Sequence, residues 1–493
     1  MRVSLRNFTA VVAAALVLAA AGCGSGSSTN PFPTLPPATV PLVKLSTDTF
    51  TNSTSQHATE VEPGSFSFGS TIISAFQVGR IFGGGASDIG YAISTDAGAT
   101  WTNGFLPGIT TFQGGGANSA VSDTVVAYDA KHAVWLISSL PISAVSIQVV
   151  VSRSSDGGAT WGNPIVVSQG ADLDKDWIAC DTTTTSPFYG NCYAEWDDNG
   201  NADLIWMSVS NDGGLTWATP VTPVGAANGL GGEPLVQSNG TVIVPFLDDA
   251  FDIESFSSTD GGATWSAPVV VSAINAHVDA GGLRSDALPS AAMDAAGNIY
   301  VVWQDSSFRA ACASNDLVMS TSADGVTWTA PARIPIDATT STVDHFLPGL
   351  GIDPATSGSP AHLGLTYYYY PQTNCTAATC ALYVGFISSL DGGNTWSAAT
   401  PLAGPMALSW LPSTFSGQMV ADYIATSFAG GKAYGFFAVA KANSGATLDE
   451  AIYTTRTGFD VVAAMGRVSS AGETQARTKS KSKPSRMHTR RIR

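Results

Sequence analysis

Short apolar runs recur along most of the chain, and each is bounded by glycine, aspartate or asparagine. One unit contains T-V-V-A-Y-D at 124–129, A-V-W-L-I-S-S at 133–139 and I-Q-V-V-V-S-R at 147–153. Runs of this length, rich in β-branched and aromatic residues and separated by turn residues, predict β-strands. Because about four such runs fill each unit, the pattern predicts a four-stranded sheet that repeats along the chain.

A motif with the pattern S-x-D-x-G-x-T-W precedes the last strand of each unit. The aspartate and glycine favour a tight turn, and the tryptophan begins the next strand with a large apolar ring. Five full copies lie at 94–101, 154–161, 210–217, 258–265 and 389–396, and a copy one residue shorter lies at 322–328.

These repeats resemble the Asp boxes, or BNR repeats, of the sialidase-like superfamily, and the resemblance covers nearly all of residues 42–460. It implies an all-β fold, a β-propeller of four-stranded blades, in which the boxes lie at the periphery and away from the central site. The resemblance therefore implies a structural role for the box aspartates, which are Asp96, Asp156, Asp212, Asp260, Asp324 and Asp391.

The number of blades depends on the two ends of the repeat region. Three strand-like runs at 419–427, 432–439 and 449–455 follow the last box, and one run at 41–47 precedes the first unit. Together they make a seventh blade that closes the ring and leaves no exposed sheet edge. We expect seven blades closed by the N-terminal strand, with six blades, as in the sialidases themselves, as the alternative.

The first 41 residues are expected to lie outside the fold. Residues 1–22 combine two arginines, an apolar stretch too short to span a membrane and the ending A-A-G-C, which is typical of a lipoprotein signal peptide. Cys23 is the predicted lipidation site, and residues 23–41 form a Gly/Ser/Pro-rich tether. We therefore expect an exported protein on the cell envelope that meets the membrane through the lipid anchor only.

Charge is distributed unevenly along the chain. Residues 23–466 carry 11 Lys and Arg against 37 Asp and Glu, whereas residues 467–493 carry nine against one. An acidic body of this kind argues against nucleic acid as a partner. Residues 461–493 are expected to form a basic disordered tail, either a solvated extension or a segment that adheres to anionic envelope polymers, lipid headgroups or the acidic body.

The cysteines beyond Cys23 indicate disulfides, since export permits them. The pairs closest in sequence are Cys180 with Cys192 and Cys375 with Cys380, which leaves Cys312. Sequence alone does not fix the connectivity. These cysteines accompany no Cys-x-x-Cys motif or histidine cluster, so we expect no metal site from them.

A calcium ion is the one cofactor that the sequence makes possible, and none is required. The run D-L-D-K-D-W at 172–177 has acids at alternate positions, which face one side of an extended strand. Carboxylate oxygens are the ligands that Ca²⁺ prefers, although this run lacks the glycine and distal glutamate of a calcium loop.

Polar residues begin the innermost strand of each unit, and in a propeller these strands meet at the central channel. The channel-mouth set is Glu60, Glu62, Asp123, Asp174, Lys175, Asp176, Trp177, Glu233, Arg284, Asp286, Asp344, His345, Asp422 and Tyr423. The candidate catalytic residues, if the protein is an enzyme, are Arg284, Asp174, Asp176, Glu195, His345 and Tyr423.

Two classes of function follow, and whether the protein is an enzyme stays open. In the first, a monomeric propeller on the cell surface binds a glycan or a protein at the channel mouth. In the second, it is an exo-sialidase or a related glycoside hydrolase. Sialidases use three arginines, a Tyr–Glu pair and an Asp, and they carry Arg-Ile-Pro before the first Asp box. Here the triplet occurs at 333–335, after the fifth box, which favours the binding role.

Overall fold

The computed structural model describes residues 40–462. The predicted signal peptide, Cys23, nearly all of the tether and the basic tail from residue 463 onward lie outside the described residues. Within them the fold is all-β, and none of the helical segments is long and apolar enough to cross a membrane.

The first half of the described chain contains seventeen strands. They are β1 (Leu42–Lys44), β2 (Glu60–Phe68), β3 (Thr71–Arg80), β4 (Ala86–Ser94), β5 (Thr102–Phe105), β6 (Ala120–Asp129), β7 (Val134–Ile142), β8 (Ile147–Ser154), β9 (Ile165–Gly170), β10 (Leu173–Cys180), β11 (Cys192–Asp198), β12 (Leu204–Ser210), β13 (Gly229–Leu230), β14 (Leu235–Val236), β15 (Val242–Asp248), β16 (Asp252–Ser258) and β17 (Val269–Ala273).

The second half contains fourteen strands. They are β18 (Ser290–Met293), β19 (Ile299–Asp305), β20 (Asp316–Ser322), β21 (Ala332–Arg333), β22 (Asp344–Ile352), β23 (Leu363–Tyr370), β24 (Ala381–Ser389), β25 (Thr400–Ala407), β26 (Ser413–Thr414), β27 (Gly417–Gln418), β28 (Ala425–Ala429), β29 (Lys432–Ala440), β30 (Glu450–Thr455) and β31 (Phe459–Asp460). Short 3-10 turns lie at Asn199–Asn201, Ala280–Gly282, Ala310–Cys312 and Leu408–Trp410.

Consecutive strands pair antiparallel in successive sets, as the repeated pattern predicted. The sets are β2–β5, β6–β9, β10–β12, β13–β17, β18–β21, β22–β25, and β28–β30 with β1. The first two sets are joined by one pairing of Ala86 with Val121, and β26 with β27 forms a separate hairpin.

The first strands of the sets contact one another in a ring. Contacts run from β2 to β6, then β10, β14, β18, β22 and β28, and β28 returns to β2. The hydrophobic core lies between neighbouring sheets, for example where Ile73 and Ile89 of one set pack with Val126 and Ile137 of the next. An all-β ring of radially packed sheets is the arrangement of a β-propeller.

The N-terminal strand pairs with the C-terminal strands, as the sequence predicted. Leu42, Val43 and Lys44 of β1 face Thr455, Thr454 and Tyr453 of β30 in antiparallel register. The two ends of the described chain are therefore joined in one sheet by backbone hydrogen bonds.

Each Asp box is a turn held by its own side chains. In the box at 389–396, Asp391 accepts hydrogen bonds from the Ser389 hydroxyl at 2.9 Å, the Thr395 amide at 2.7 Å and the Thr395 hydroxyl at 2.6 Å. The carboxylate thereby satisfies donors that the tight turn leaves without backbone partners.

The boxes also join neighbouring sheets, because a glycine of each box packs on the preceding set. A Cβ at Gly158 would lie 2.5 Å from Ile93 of the first set, so no larger residue fits there. Gly98 in the first box packs in the same way against Tyr434 of β29, whose hydroxyl donates to the Ala97 carbonyl at 2.7 Å. The first set is therefore packed against the last.

Both predicted disulfides are present. Cys180–Cys192 joins the directly paired strands β10 and β11, and Cys375–Cys380 closes the loop between β23 and β24. Cys312 is a free, half-buried thiol.

Candidate functional site

Three charged residues of the inner strands have a backbone conformation that L-residues rarely adopt. Glu62 of β2, Asp123 of β6 and Lys175 of β10 have φ values of 54°, 42° and 47°. Each lies in a β-bulge, where the register with the next strand shifts. A bulge redirects the side chain of the extra residue, and strained residues of this kind concentrate at functional sites.

The redirected side chains meet in one ion cluster. The Lys175 ammonium lies 2.5 Å from Oδ2 of Asp422, 3.8 Å from Oδ1 of Asp123 and 3.9 Å from Oε1 of Glu62. Arg284 also donates to Oδ2 of Asp422. All three carboxylates are buried, whereas the Arg284 side chain is 20% exposed. The cluster therefore reaches solvent through Arg284.

The loop that carries Arg284 is fixed by the hairpin that precedes Asp422. The Arg284 amide donates to the Gln418 carbonyl of β27 at 2.8 Å. Asp422 follows four residues later and meets the Arg284 guanidinium, so backbone pairing brings together two residues that are far apart in sequence.

The cluster separates the pKa values of its members. Burial alone would raise the pKa of Asp422, but Arg284 and Lys175 outweigh it and hold that pKa well below its usual range. Burial would likewise lower the pKa of Lys175, and the surrounding carboxylates raise it instead. Burial dominates at Glu62 and Asp123, whose pKa values are raised. Asp422 is therefore the fixed anion of the cluster.

A second layer holds Glu62 in place. The Gln77 side-chain amide donates to Glu62, and its oxygen accepts from Arg80 at 3.2 Å. Arg80 also donates to the Gly85 carbonyl at 2.6 Å and is only 3% exposed. Its guanidinium is thus engaged by protein groups.

A small cavity lies beside the ion cluster. Its walls are formed by Lys175, Asp176, Trp177, Gly231, Glu233, Leu288, Pro289 and Tyr423. The rings of Trp177 and Tyr423 pack edge to face at 5.4 Å, and the Lys175 ammonium lies 5.9 Å from the centre of the Tyr423 ring. The Tyr423 hydroxyl accepts from the Thr124 amide at 2.8 Å, so this ring is fixed from the opposite side.

The carboxyl groups along the cavity favour the protonated form. Burial raises the pKa of Glu233 to about 8, although the Ala291 amide donates to its Oε2 at 2.7 Å. Burial also raises the pKa values of Asp176 and Glu195 well above the ordinary range. Protonated acids thus lie in the wall of the cavity that Lys175 of the ion cluster also lines, where a carboxyl group can act as a proton donor.

The structure brings some of the candidate catalytic residues together and keeps others apart. Asp176 and Tyr423 line the cavity, and Arg284 lies in the adjoining ion cluster. Glu195 lies behind them on β11, against Gly232, and Asp174 is half-buried with Asn199 as its neighbour.

His345 belongs to a different region. Its ring lies 5.6 Å from that of Tyr367 and 6.2 Å from that of Tyr369, and burial lowers its pKa. Its described neighbours are therefore aromatic residues of β23 and not the residues that line the cavity.

The expected alternation of acids at 172–177 does not persist in the structure. The bulge between Asp174 and Trp177 shifts the register, so Asp174 faces Asp197 whereas Trp177 faces Glu195. The bulge interrupts this alternation of the acids, and the possible Ca²⁺ site in this run stays a prediction.

The arginines of the described chain do not form a three-arginine clamp. Arg80 contacts Gln77 and Arg284 contacts Asp422 of the ion cluster, but Arg309 and Arg333 pair with Asp316 and Asp337. Arg153 donates to the Gly213 carbonyl in an Asp box, and Arg456 is exposed after β30. Arg333 lies on the outer strand β21, as expected for a triplet unrelated to the site.

Sequence reasoning missed Arg80 and Gln77 as members of the site. Both lie on β3, within a run that reads as an ordinary buried strand. Their role depends on the bulge at Glu62 in β2, the strand that pairs with β3. The sequence carries no clear signal for this bulge.

No protein-family model matches the sequence, and no curated protein matches it. Among solved structures, the chain is similar to a Hadza microbial sialidase, with 15% identity and a TM-score of 0.44 over 81% of this chain and 66% of that one. It is similar to an ulvan lyase from a new polysaccharide lyase family, with 11% identity and a TM-score of 0.49 over 85% and 96%.

The sialidase of Trypanosoma rangeli, in complex with the inhibitor DANA, is similar with 13% identity and a TM-score of 0.42 over 81% of this chain and 55% of that one. Sialidases thus stand among the similar structures. Similarity of this degree concerns the fold, and the function is argued from the residues of this chain.

Proposed function

We propose that the chain is a seven-bladed β-propeller that binds carbohydrate at the mouth of its central axis. The ring of contacts between first strands, the pairing of β1 with β30 and the packing of Gly98 on Tyr434 support seven blades in one closed ring. Closure of this kind leaves no sheet edge open to pairing with another chain.

The aromatic wall of the cavity beside the ion cluster, called the axial cavity from here on, is the observation that supports carbohydrate as the ligand. Trp177 is half-buried and lies beside the fixed ring of Tyr423, with Glu233 and Lys175 in the same wall. An aromatic face offers the apolar side of a sugar ring a stacking surface, and nearby polar groups bind its hydroxyls. The cavity itself is only about 10 Å³, so the saccharide would lie against Trp177 at the mouth of the cavity and not inside it.

The test of the binding role is a glycan array followed by calorimetry with the saccharides that bind. Trp177→Ala is expected to weaken binding at least about tenfold, since lost stacking and burial contribute on the order of 1–3 kcal/mol. Trp410→Ala, at a half-buried tryptophan in the 3-10 turn before β26, is the control and should bind normally. Equal affinity of both variants would overturn the proposed site.

A second candidate function, glycoside hydrolysis, is supported by Glu233. Its pKa of about 8 keeps it protonated at neutral pH, as a general acid requires, and it lies in the wall of the cavity. We expect any hydrolysis of fluorogenic glycosides to be abolished by Glu233→Gln and to decline as pH rises above about 8. Exo-sialidase activity would further need Arg284, and Arg284→Ala tests it with the sialoside.

The cellular location is part of the proposal and depends on residues outside the described range. The signal peptide at 1–22 and the lipid-accepting Cys23 place the propeller outside the cell on a membrane anchor. Cys23→Ser is expected to move the protein from the membrane fraction to the soluble fraction. The sequence makes Ca²⁺ binding possible without requiring it, and calorimetry with and without Ca²⁺ tests whether the ion binds.

A further inference from the structure

A second group of polar side chains lies apart from the axial cavity, where the loop before β18 meets β22 and β23. It contains His277, Asp279 and Asp344, whose ligand-type atoms all lie within 4.8 Å of one another. The His277 Nδ1 is 3.3 Å from Oδ2 of Asp344. Asp344 is fully buried and Asp279 is 6% exposed, whereas the His277 side chain is 26% exposed.

The group is held in place by Asn315. Its backbone amide donates to Oδ1 of Asp344 at 2.6 Å, and its side-chain amide donates to Oδ1 of Asp279 at 3.1 Å. The same side chain exchanges two hydrogen bonds with the backbone of His277. The three candidate ligands are thus preorganised, and Oδ2 of Asp344 and Nδ1 of His277 contact each other at 3.3 Å without a further hydrogen-bond partner among the described residues.

A buried tyrosine points into the same space. Tyr370 faces Asp344 directly across β22 and β23, so the two side chains lie on one face of the sheet. Tyr370 is fully buried, and its hydroxyl has no hydrogen-bond partner among the described residues. A buried hydroxyl without a hydrogen-bond partner destabilises the folded state by about 1–3 kcal/mol. The Tyr370 hydroxyl therefore indicates that a polar ligand binds at this position.

The charge of the group is unbalanced in the same way. Two buried carboxylates lie side by side, and the salt bridges of the described residues give them only His277. A neighbouring group makes the contrast clear, because Asp316 and Asp337, beside His345, are both paired with Arg309 and Arg333. That group contains two arginines, whereas the salt bridges of the described residues give the group around Asp344 no arginine or lysine.

We propose that His277, Asp279 and Asp344 bind one divalent metal ion, with the Tyr370 hydroxyl next to the ion. One imidazole nitrogen with carboxylate oxygens is a ligand set that Zn²⁺ and Mn²⁺ accept, and the imidazole disfavours Mg²⁺ and Ca²⁺. The unpartnered atoms of His277, Asp344 and Tyr370 all face the position of the ion.

The ion would also stabilise the loop that leads to the axial cavity. The Ser285 hydroxyl donates to Oδ2 of Asp279 at 2.5 Å, and Arg284, the preceding residue, contacts Asp422. Leu288 and Pro289 of the same loop line the cavity. This metal site is separate from the proposed carbohydrate site, and binding of the ion is measurable without any carbohydrate.

The test uses the purified full chain, stripped of metal with a chelator and returned to metal-free buffer. Titration with Zn²⁺ or Mn²⁺ is expected to show one ion per chain, with a rise in Tm and with affinity above that for Ca²⁺ and Mg²⁺. Co²⁺ should give the visible absorption of a nitrogen- and oxygen-ligated ion.

His277→Gln and Asp344→Asn should each lower the affinity at least about tenfold, since even outer-shell partners contribute that much. His277 is half-exposed, so its variant should fold if Asp344→Asn does not. His132→Gln is the matched control, because His132 pairs with the single carboxylate of Asp129. A folded chain that binds no ion, or a His277→Gln variant that binds as tightly as the original, would overturn the proposal.

Discussion

At the scale of single residues, Asp422 holds together the ion cluster around Lys175, called the axial cluster from here on. A single oxygen of its buried carboxylate, Oδ2, accepts hydrogen bonds from both Lys175 and Arg284. Removal of this anion would destabilise the folded protein, because the two remaining cations would be desolvated and would repel each other. The neighbouring Glu62 and Asp123 do not replace it, since burial favours their neutral forms.

Replacement of Asp422 therefore tests the cluster directly. Asp422→Asn keeps the shape but removes the charge, and we expect the free energy of unfolding to fall by about 3–5 kcal/mol, the usual cost of breaking a buried ion pair. Urea unfolding followed by tryptophan fluorescence measures the change. Asp286→Asn, at an exposed carboxylate near the same cluster, should change stability little. Similar effects of the two variants would show that Asp422 is not the central anion.

At the scale of the element, the Asp box combines two tasks. Its aspartate satisfies the turn, and its glycine lets the turn pack on the preceding sheet, as at Gly158 against Ile93. Loss of the aspartate should therefore loosen a peripheral turn and leave the axial cavity unchanged.

Asp391→Ala is expected to lower the free energy of unfolding by about 1–2 kcal/mol, because three donors from Ser389 and Thr395 lose their acceptor at a half-buried turn. Thermal unfolding monitored by circular dichroism measures the loss. Thr395→Ser keeps the hydroxyl that donates to Asp391 and should remain close to the original protein. Weaker carbohydrate binding by Asp391→Ala at a temperature where it is folded would contradict a purely structural box.

At the scale of the whole molecule, the sequence predicted what depends on local pattern and missed what depends on register. The strands, the Asp boxes and the pairing of the N-terminal run were predictable because turn residues and apolar runs specify them. The bulges at Glu62, Asp123 and Lys175 were not, because a bulge is set by the fit between whole strands. Once a bulge reverses the side on which a residue lies, strict alternation gives the wrong neighbours, as it did at 172–177.

The axial cluster could be anticipated only as a ring of polar residues. Glu62, Lys175, Arg284 and Asp422 lie far apart in sequence, and their contacts require the ring of first strands to be complete. The contacts between the first strands thus assemble the cluster, so we expect the seam where β1 pairs with β30 to affect the proposed site as well as stability.

The seam, where β1 pairs with β30, lies next to a buried acid, Glu60. Titration of this acid should change the free energy of unfolding of the whole protein. Glu60 of β2 is 1% exposed and accepts from the Ser46 hydroxyl at 2.6 Å, and Ser46 accepts from the Ile452 amide of β30 at 2.8 Å. Burial, opposed by the Ser46 hydrogen bond, raises the pKa of Glu60 from 4.5 to about 7. Burial raises the pKa of its neighbour Glu450 as well.

Between pH 4.5 and about pH 7, Glu60 holds a proton in the folded protein that it has released in the unfolded chain. The contribution of Glu60 to stability is therefore complete below pH 4.5 and declines as pH rises to about 7, by on the order of 3 kcal/mol, after which it is constant. Glu60→Gln does not titrate, so its free energy of unfolding should exceed that of the original protein at pH 8 and match it near pH 4.5. Urea unfolding across this range measures the difference, with the exposed Asp460→Asn as the control. A difference between Glu60→Gln and the original protein that is independent of pH would mean that the seam does not hold Glu60 as a neutral acid.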